Sequence, residues 1–155
     1  VFRDMRLIPF LRRPDPMPPV QFYGQLDPAV FVLRLVPGMR ADIIPLLAPH
    51  YRALVVESFG VGGLPGGEHG EMYARLQDWC ASGRLAVFTT QVPHEGCDLA
   101  VYEVGRSVKE LPGVLEAKDM TPEAVAVKLM WALGQTTDRA EAMRLFTTPV
   151  EWDIV

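Results

Sequence analysis

Residues 53–67 decide the fold, and their sequence is Ala53-Leu54-Val55-Val56-Glu57-Ser58-Phe59-Gly60-Val61-Gly62-Gly63-Leu64-Pro65-Gly66-Gly67. A short apolar run stops abruptly at a loop that holds five glycines. This pattern is typical of a buried parallel strand with a functional loop at its carboxyl end. Glycines in such a loop let the backbone approach a ligand or another subunit closely.

The sequence on either side alternates between strands and helices. Strands are predicted at Phe31–Val36, Ala53–Ser58, Leu85–Phe88 and Val114–Ala117. Helices are predicted over residues 40–48, Glu68–Ser82, Asp98–Lys109, a segment that starts at Thr121-Pro122-Glu123, and Asp138–Phe146. The alternation predicts an α/β fold with a small parallel sheet of about four strands and helices on both faces, a three-layer arrangement of the Rossmann or flavodoxin type. Because right-handed crossovers bring the carboxyl ends of parallel strands to one edge, the loops after Val36, Ser58 and Thr89 should converge.

The start of the 155-residue chain differs from the rest. Residues 12–19 are dense in proline, which excludes a regular helix or a central strand and favours a semi-rigid extended linker. The residues from Phe2 to Leu11 are predicted to form a short strand or hairpin. We therefore expect residues 1–26 to be a linker from an upstream domain and residues 27–155 to be one α/β domain.

The composition excludes several classes of function. The net charge of −4 disfavours nonspecific binding to nucleic acid or to an anionic membrane. No apolar run approaches the roughly 20 residues of a membrane span. The histidines are scattered and the two cysteines, Cys80 and Cys97, have no metal-binding spacing, so we expect no metal and no cofactor. Two buried thiols in a reducing cytoplasm are favoured over a disulfide between these cysteines.

The glycine loop matches no nucleotide-binding motif. A dinucleotide fingerprint counted from Gly60 and Gly62 needs a third glycine where Pro65 stands, and a Walker loop needs a nearby lysine. Ser58 precedes the glycines, but no Gly-x-Ser-x-Gly elbow surrounds it, and His50 lies at the opposite edge of the predicted sheet. Phosphate binding and a Ser–His nucleophile pair are therefore disfavoured, and a flexible surface turn is the structural alternative.

Two further groups of polar residues follow the third strand. Thr89-Thr90-Gln91 offers hydroxyls and an amide suited to a small polar ligand, although threonines also end strands for structural reasons. Tyr102 lies off the apolar face of the helix over 98–109, where its phenol can donate to a ligand or assist catalysis. A partly buried packing role is the alternative for this tyrosine. Asp98 is expected to cap the helix.

Six segments together match the motif order of a known family. They are Leu35-Val36-Pro37-Gly38-Met39, Val56-Glu57-Ser58-Phe59-Gly60-Val61-Gly62-Gly63-Leu64-Pro65, Thr89-Thr90-Gln91, Val101-Tyr102-Glu103-Val104-Gly105, Asp119-Met120-Thr121-Pro122-Glu123-Ala124 and Lys128-Leu129-Met130-Trp131-Ala132-Leu133-Gly134-Gln135. In this order they resemble the C-terminal domain of bacterial L-asparaginases of the cytosolic type (type I). The resemblance extends from about Leu26 to Phe146.

The resemblance implies a two-domain enzyme that hydrolyses L-asparagine to L-aspartate and ammonia through a threonine nucleophile. In the family, the larger N-terminal domain carries that nucleophile in a Thr-Gly-Gly-Thr type segment, together with a Gly-Thr-Asp-Thr segment. Neither segment occurs among the 155 residues. The chain therefore resembles only the smaller domain, and we expect it to be inactive alone because it lacks the nucleophile.

In the family, this smaller domain completes the substrate pocket of a partner subunit in a cytoplasmic homodimer or dimer of dimers. The corresponding residues here are Gly62, Gly63 and Tyr102. Gly63 stands where many relatives have asparagine, so only a backbone contact would remain there. Tyr102 matches a tyrosine of the cytosolic-type relatives.

Some cytosolic-type enzymes also bind asparagine as an effector between their domains. The resemblance places that effector pocket at Glu57, Thr90 and Val92, with Glu57 and Val92 in the positions of a family arginine and cysteine. A glutamate cannot pair with the carboxylate of the effector, so we expect no regulation of the same form.

Two alternatives to the asparaginase domain stay open. One is a stand-alone module that binds a small amino acid or an effector. The other is the corresponding domain of the asparaginase-like subunit of the archaeal-type glutamyl-tRNA(Gln) amidotransferase. The residues upstream of this chain would distinguish the amidotransferase subunit, which carries an extra N-terminal region.

Overall fold

The computed structural model describes residues 2–3, 6–7, 19–60, 62–66, 70–92, 96–101, 103–150 and 153–154. The strands are β1 (Phe2–Arg3), β2 (Arg6–Leu7), β3 (Val30–Arg34), β4 (Ala53–Ser58), β5 (Leu85–Thr90) and β6 (Val114–Glu116). The helices are α1 (Ile43–Leu47), α2 (Glu71–Ala81), α3 (Glu103–Lys109), α4 (Pro122–Gln135) and α5 (Arg139–Thr147). The start predicted for α2, at Glu68, lies outside the described residues.

Strands β3, β4, β5 and β6 lie in that order in one sheet, and every neighbouring pair is parallel. Because the spatial order follows the sequence, right-handed connections place α1, α2 and α3 on one face. Ile44 of α1, Leu76 of α2 and Val108 of α3 accordingly share one core cluster. Helices α4 and α5 cover the other face, where Leu129 and Phe146 are completely buried. The predicted three-layer α/β fold is confirmed.

The central strands β4 and β5 are buried along their whole length because helices cover both faces of the sheet. Val56 and Phe88 pack against the layer of α1 to α3, whereas Val55 and Val87 pack against the layer of α4 and α5. Successive residues of a strand point to opposite faces, so both layers draw on the same strands. This double burial explains why the apolar run that begins at Ala53 does not alternate with polar residues.

The two helices of the second layer begin at the residues that the sequence predicts. Thr121 Oγ1 accepts the Ala124 N–H at 3.4 Å, and Pro122 occupies the first turn of α4. Asp138 Oδ1 accepts the Glu141 N–H at 2.7 Å at the start of α5. Local capping chemistry therefore defines both helix starts.

The segment before β3 packs against the end of α4. The rings of Tyr23 and Trp131 meet edge to face with their centroids 5.3 Å apart. Gln135 Nε2 donates to the Gln25 carbonyl at 2.9 Å. Contacts of the domain thus extend into residues 1–26. Most of the proline-dense run lies outside the described residues, and the linker stays a prediction.

Candidate functional site

The carboxyl ends of three strands meet at one edge of the sheet, and Gln91 joins them. Its Nε2 donates to the Leu35 carbonyl at 2.7 Å and to the Glu57 carbonyl at 2.8 Å. Its backbone N–H donates to the Ser58 carbonyl at 3.4 Å. The predicted convergence of the loops after β3, β4 and β5 is confirmed. The side-chain amide of Gln91 is engaged by backbone groups and acts as a structural clamp.

Residues 59–60 and 62–63 of the glycine loop belong to a tight turn, which we call the glycine turn. The Phe59 N–H donates to the Gly63 carbonyl at 3.1 Å, and the Gly63 N–H donates back to the Phe59 carbonyl at 2.7 Å. Gly60 and Gly62 have φ angles of +51° and +154°, which other residues rarely adopt. Thr90 Oγ1 attaches the turn to β5 by donating to the Gly60 carbonyl at 2.5 Å. These contacts argue against the alternative of a loosely attached surface turn.

A buried leucine joins the glycine turn to the loop that precedes α3. A Cβ at Gly62 would lie 2.8 Å from Leu99 Cδ2, and a Cβ at Gly105 would collide with the Leu99 carbonyl oxygen. Leu99 is therefore enclosed between the turn and α3. The sequence pattern suggested that the glycines approach a ligand or another subunit. The structure shows that Gly62 makes a close approach within this chain.

Tyr102, which the resemblance places in the substrate pocket, lies outside the described residues. The chain on either side is described, with Val101 half exposed and α3 beginning at Glu103. The expected helix cap at Asp98 is wrong. Its Oδ1 accepts the Ala100 N–H at 2.9 Å in a local turn, and the helix starts only after that turn. The helix predicted from Asp98 is therefore shorter at its amino end.

A largely buried carboxylate, that of Glu116, holds the same leucine. Its Oε1 accepts the Leu99 N–H at 2.8 Å, and its Oε2 lies 3.0 Å from Lys109 Nζ and 2.8 Å from Lys118 Nζ. Burial alone would raise the pKa of Glu116, but hydrogen bonds from Lys118, the Leu99 N–H and Lys109 outweigh burial and hold that pKa below its ordinary value. Glu116 is a site residue that the sequence pattern does not predict. The close spacing of Glu116 and Lys118 was a local signal of the ion pair.

The three residues of the expected effector pocket do not lie on one face of the sheet. Glu57 pairs in register with Thr89, so Glu57 and Thr90 point to opposite faces. Glu57 Oε2 lies 3.4 Å from Arg34 Nη1. The Thr90 hydroxyl donates to the glycine turn and accepts the Val92 N–H at 2.9 Å. The structure thus brings Thr90 and Val92 together and leaves Glu57 on the other face, beside an arginine.

Cys80 and Cys97 are buried and form no disulfide, which confirms the prediction of two buried thiols. Burial raises the pKa of Cys80 to about 11 and the pKa of Cys97 to about 12. Both thiols are therefore protonated and poorly nucleophilic near neutral pH. Across the described ranges, no group of three or more His, Cys, Asp or Glu residues could hold a metal ion. The helices of the same ranges are too short or too polar to cross a membrane.

Comparisons with known proteins identify relatives with this fold. The family model of the glutaminase/asparaginase C-terminal domain matches residues 29–146. The L-asparaginase of Thermococcus kodakarensis is 38% identical over 133 residues, which cover 86% of this chain and 40% of that protein. A glutamyl-tRNA(Gln) amidotransferase subunit of Metallosphaera sedula is 36% identical over 140 residues, which cover 90% of this chain and 30% of that protein.

Solved structures lead to the same family. The thermostable L-asparaginase from Thermococcus kodakarensis superposes with a TM-score of 0.77 at 36% identity, covering 84% of this chain and 39% of that chain. L-asparaginase I from Vibrio cholerae superposes with a TM-score of 0.73 at 25% identity, covering 83% of this chain and 38% of that chain. This chain spans about two-fifths of the length of these asparaginases. The two relatives described from the sequence comparison are archaeal, so the expected assignment to the bacterial enzymes is not supported.

Proposed function

The chain belongs to the glutaminase/asparaginase C-terminal domain family, and from this premise we propose that it is the C-terminal domain of an enzyme that hydrolyses L-asparagine to L-aspartate and ammonia. The observation that carries the proposal is the 38% identity to an L-asparaginase over 86% of the chain. The fold shared with an L-asparaginase I at 25% identity supports a type I enzyme as the finer assignment.

In this proposal, the glycine turn and the segment around Tyr102 form one wall of a substrate pocket in a partner subunit. Leu99 supports the proposal because it packs against both the turn and α3, so the two parts of the wall keep a fixed relation. The Tyr102 phenol donates to the substrate or to a reacting group. The threonine nucleophile is supplied by a domain outside these residues. The wall alone is therefore inactive, because position and orientation accelerate a reaction only when a nucleophile is present.

The backbone of Gly63 can contribute one kind of contact to that pocket. Its N–H and its carbonyl are both paired with Phe59. A carbonyl oxygen has two lone pairs, so the Gly63 carbonyl can accept a second hydrogen bond, whereas the N–H has no further capacity. We infer that this position accepts from a donor of the substrate. The α-ammonium group of L-asparagine fits that role and its carboxylate does not.

We extend the proposal to a homodimer or dimer of dimers in the cytoplasm. In the family that the chain resembles, this domain completes the substrate pocket of a partner subunit, which favours assembly. The thiols of Cys80 and Cys97 are buried and form no disulfide, which suits a reducing compartment.

An assay of ammonia release tests the proposal. The 155-residue chain is incubated with L-asparagine, and release should not exceed that of a boiled control. Release above that control would contradict the assignment of the nucleophile to another domain. In the full-length enzyme that contains this domain, Tyr102→Phe should lower the turnover of L-asparagine. An unchanged rate would return Tyr102 to a packing role.

Calorimetric titration of the isolated chain with L-asparagine separates the proposal from a stand-alone binding module. We expect no saturable heat, because the chain would supply only part of the pocket. Saturable binding of L-asparagine that disappears in Tyr102→Phe would favour the module instead.

The amidotransferase subunit is a second candidate, favoured by 36% identity to the Metallosphaera sedula relative over 90% of the chain. The net charge of −4 does not assist contact with transfer RNA. The full-length protein decides between the candidates: ammonia release from free L-asparagine without a partner protein supports the asparaginase. Glutamine-dependent modification of glutamyl-tRNA(Gln) supports the amidotransferase.

A further inference from the structure

A cavity of about 360 Å³ lies at the amino edge of the sheet, the edge opposite the glycine turn. We call it the amino-edge cavity. The loop before β4, the loop before β5 and the start of α5 form its walls. The charged and polar residues that line it include His50, Arg52, Arg84, Thr137 and Arg139. The proposed asparaginase role uses none of them.

The Arg84 guanidinium is held in place at this cavity by neutral groups. Nε donates to the Tyr51 carbonyl at 3.2 Å, Nη2 donates to the Ala48 carbonyl at 2.7 Å, and Nη1 donates to Ser82 Oγ at 2.6 Å. The guanidinium also lies 5.2 Å from the centre of the Trp79 ring. A guanidinium has five N–H donors, so these bonds leave two of them for a ligand. The group is fixed before any ligand arrives, which lowers the entropy cost of binding.

Two further arginines add positive charge to the same cavity. Arg139 Nη2 donates to the Pro112 carbonyl, a neutral partner. Arg52 Nη1 pairs with Asp27 Oδ2 at 2.6 Å. Within the ranges that the structure describes, neither Arg84 nor Arg139 forms an ion pair with a carboxylate.

The balance of charge at the cavity opposes that of the chain. Three guanidinium groups and one carboxylate leave a local charge of +2, whereas the whole chain carries −4. The carboxylates next along the chain do not line the cavity: Asp138 caps α5, and Glu141 pairs with Arg144 at 2.7 Å. Like charges gathered in a concave site repel one another, and an anion bound between them removes that repulsion.

We propose that the amino-edge cavity binds a small oxyanion, the carboxylate or phosphate group of a metabolite, between Arg84 and Arg139. The planar guanidinium fork matches the oxygen spacing of both groups. A volume of about 360 Å³ suits a small molecule, because ligand sites start at about 300 Å³. This site is separate from the substrate wall and does not depend on the asparaginase assignment.

Thr137 provides the decisive variant because it lines the cavity at an exposed position. Thr137→Glu brings a carboxylate to the guanidinium groups and leaves their hydrogen bonds to the protein intact. Thr137→Gln has nearly the same size and no charge, so it is the matched control. Arg139→Gln removes one cation directly. Arg40→Gln removes an exposed arginine that is paired with Asp42 at 2.7 Å, away from the cavity, and controls for net charge.

The chain and its variants are titrated calorimetrically with inorganic phosphate and, separately, with succinate. We expect saturable binding of at least one probe to the unaltered chain. Thr137→Glu and Arg139→Gln should each weaken it by about tenfold or more, whereas Thr137→Gln and Arg40→Gln should change it less than about threefold. Thermal unfolding of each variant verifies that it is folded.

The two probes identify the source of the oxyanion. Binding of phosphate alone assigns the site to phosphate-bearing ligands, and binding of succinate alone assigns it to dicarboxylates. If neither phosphate nor succinate binds saturably, the proposal is overturned. Equal binding by Thr137→Glu and Thr137→Gln would overturn it too, because the anion would then lie elsewhere.

Discussion

Replacement of Glu116 by glutamine measures how strongly this carboxylate holds the segment beside the glycine turn. Glutamine keeps an oxygen for the Leu99 N–H but loses the charge that faces Lys109 and Lys118 at 3.0 and 2.8 Å. The Glu116 side chain is 9% exposed, whereas those of the lysines are 46% and 47% exposed. Solvent therefore screens each pair in part. At roughly 0.5–1 kcal/mol for each pair, the substitution should lower the free energy of unfolding by about 1–2 kcal/mol at neutral pH.

The size of this loss should depend on pH in a defined direction. The native pKa of Glu116 lies below its ordinary value of 4.5. The contribution of Glu116 to the free energy of unfolding is therefore present above pH 4.5 and is lost as the pH falls through the native pKa. The hydrogen bond to Glu116 raises the pKa of Lys118 above 10.5. The contribution of Lys118 to stability therefore persists up to pH 10.5 and is lost as the pH rises through the native pKa of Lys118. The difference between the two proteins should thus be full near neutrality and shrink in acid.

Urea unfolding of both proteins at a series of pH values from about 7 down to about 3 is the assay. Glu141→Gln is the matched control, because the Glu141 side chain is 41% exposed and pairs with Arg144 on the same helix, so its effect should be much smaller than that of Glu116→Gln. Two results would refute the reasoning. One is a loss for Glu116→Gln no larger than that of the control. The other is a loss that grows as the pH falls.

Three further predictions concern other parts of the fold. Asp153→Asn should lower the free energy of unfolding by about 1–3 kcal/mol, measured by urea unfolding, because its partner Lys128 is buried and would keep one backbone carbonyl as acceptor. Gly62→Ala should cost about 2 kcal/mol or more in the same measurement, because the new Cβ overlaps a buried leucine and the φ angle is +154°. Cys80 and Cys97 should react with an aromatic disulfide reagent far more slowly in the native chain than in urea, because burial raises the pKa of each thiol to about 11 and about 12.

Matched controls separate these effects from general damage. Asp42→Asn removes an exposed carboxylate that pairs with an exposed arginine, and it should be nearly neutral. Gly24→Ala adds a Cβ in open space, and it should not destabilise the chain. Losses as large as those at Asp153 or Gly62 would contradict the structural reasons given. Equal thiol reaction rates in buffer and in urea would contradict the burial of the cysteines.

The fold could be predicted from the sequence because its signals are local. The uninterrupted apolar run of β4 follows from burial on both faces. The start of α4 follows from Thr121 and Pro122, which act within one helical turn. The predicted start of α3 is wrong because Asp98 accepts a hydrogen bond in a local turn and does not cap the helix. An acidic residue before a helical pattern fits either arrangement, and the sequence does not distinguish them.

The sites were harder to predict because their contacts join distant parts of the chain. Glu116 meets Leu99 from another element, so neither residue is conspicuous alone. The cations of the amino-edge cavity come from two loops and the start of α5, and they form no motif. Glu57, Thr90 and Val92 are assigned to one effector pocket by the family resemblance alone. That resemblance does not tell on which face of the sheet each side chain lies. The register of β4 and β5 decides that Glu57 and Thr90 point apart.

The glycine turn explains why Gly63 is suited to its position even though the resemblance suggests asparagine there. A Cβ at Gly63 would lie 3.1 Å from the Phe59 carbonyl oxygen and 3.3 Å from the Phe59 Cβ. These distances are tighter than ordinary contacts, and the two hydrogen bonds between Gly63 and Phe59 keep the turn closed. A larger residue would therefore have to displace Phe59, and Thr90 resists that displacement through its bond to Gly60. The compact turn thus replaces a side-chain contact with a carbonyl oxygen held at a fixed position, and in the proposed pocket the substrate meets backbone at this wall.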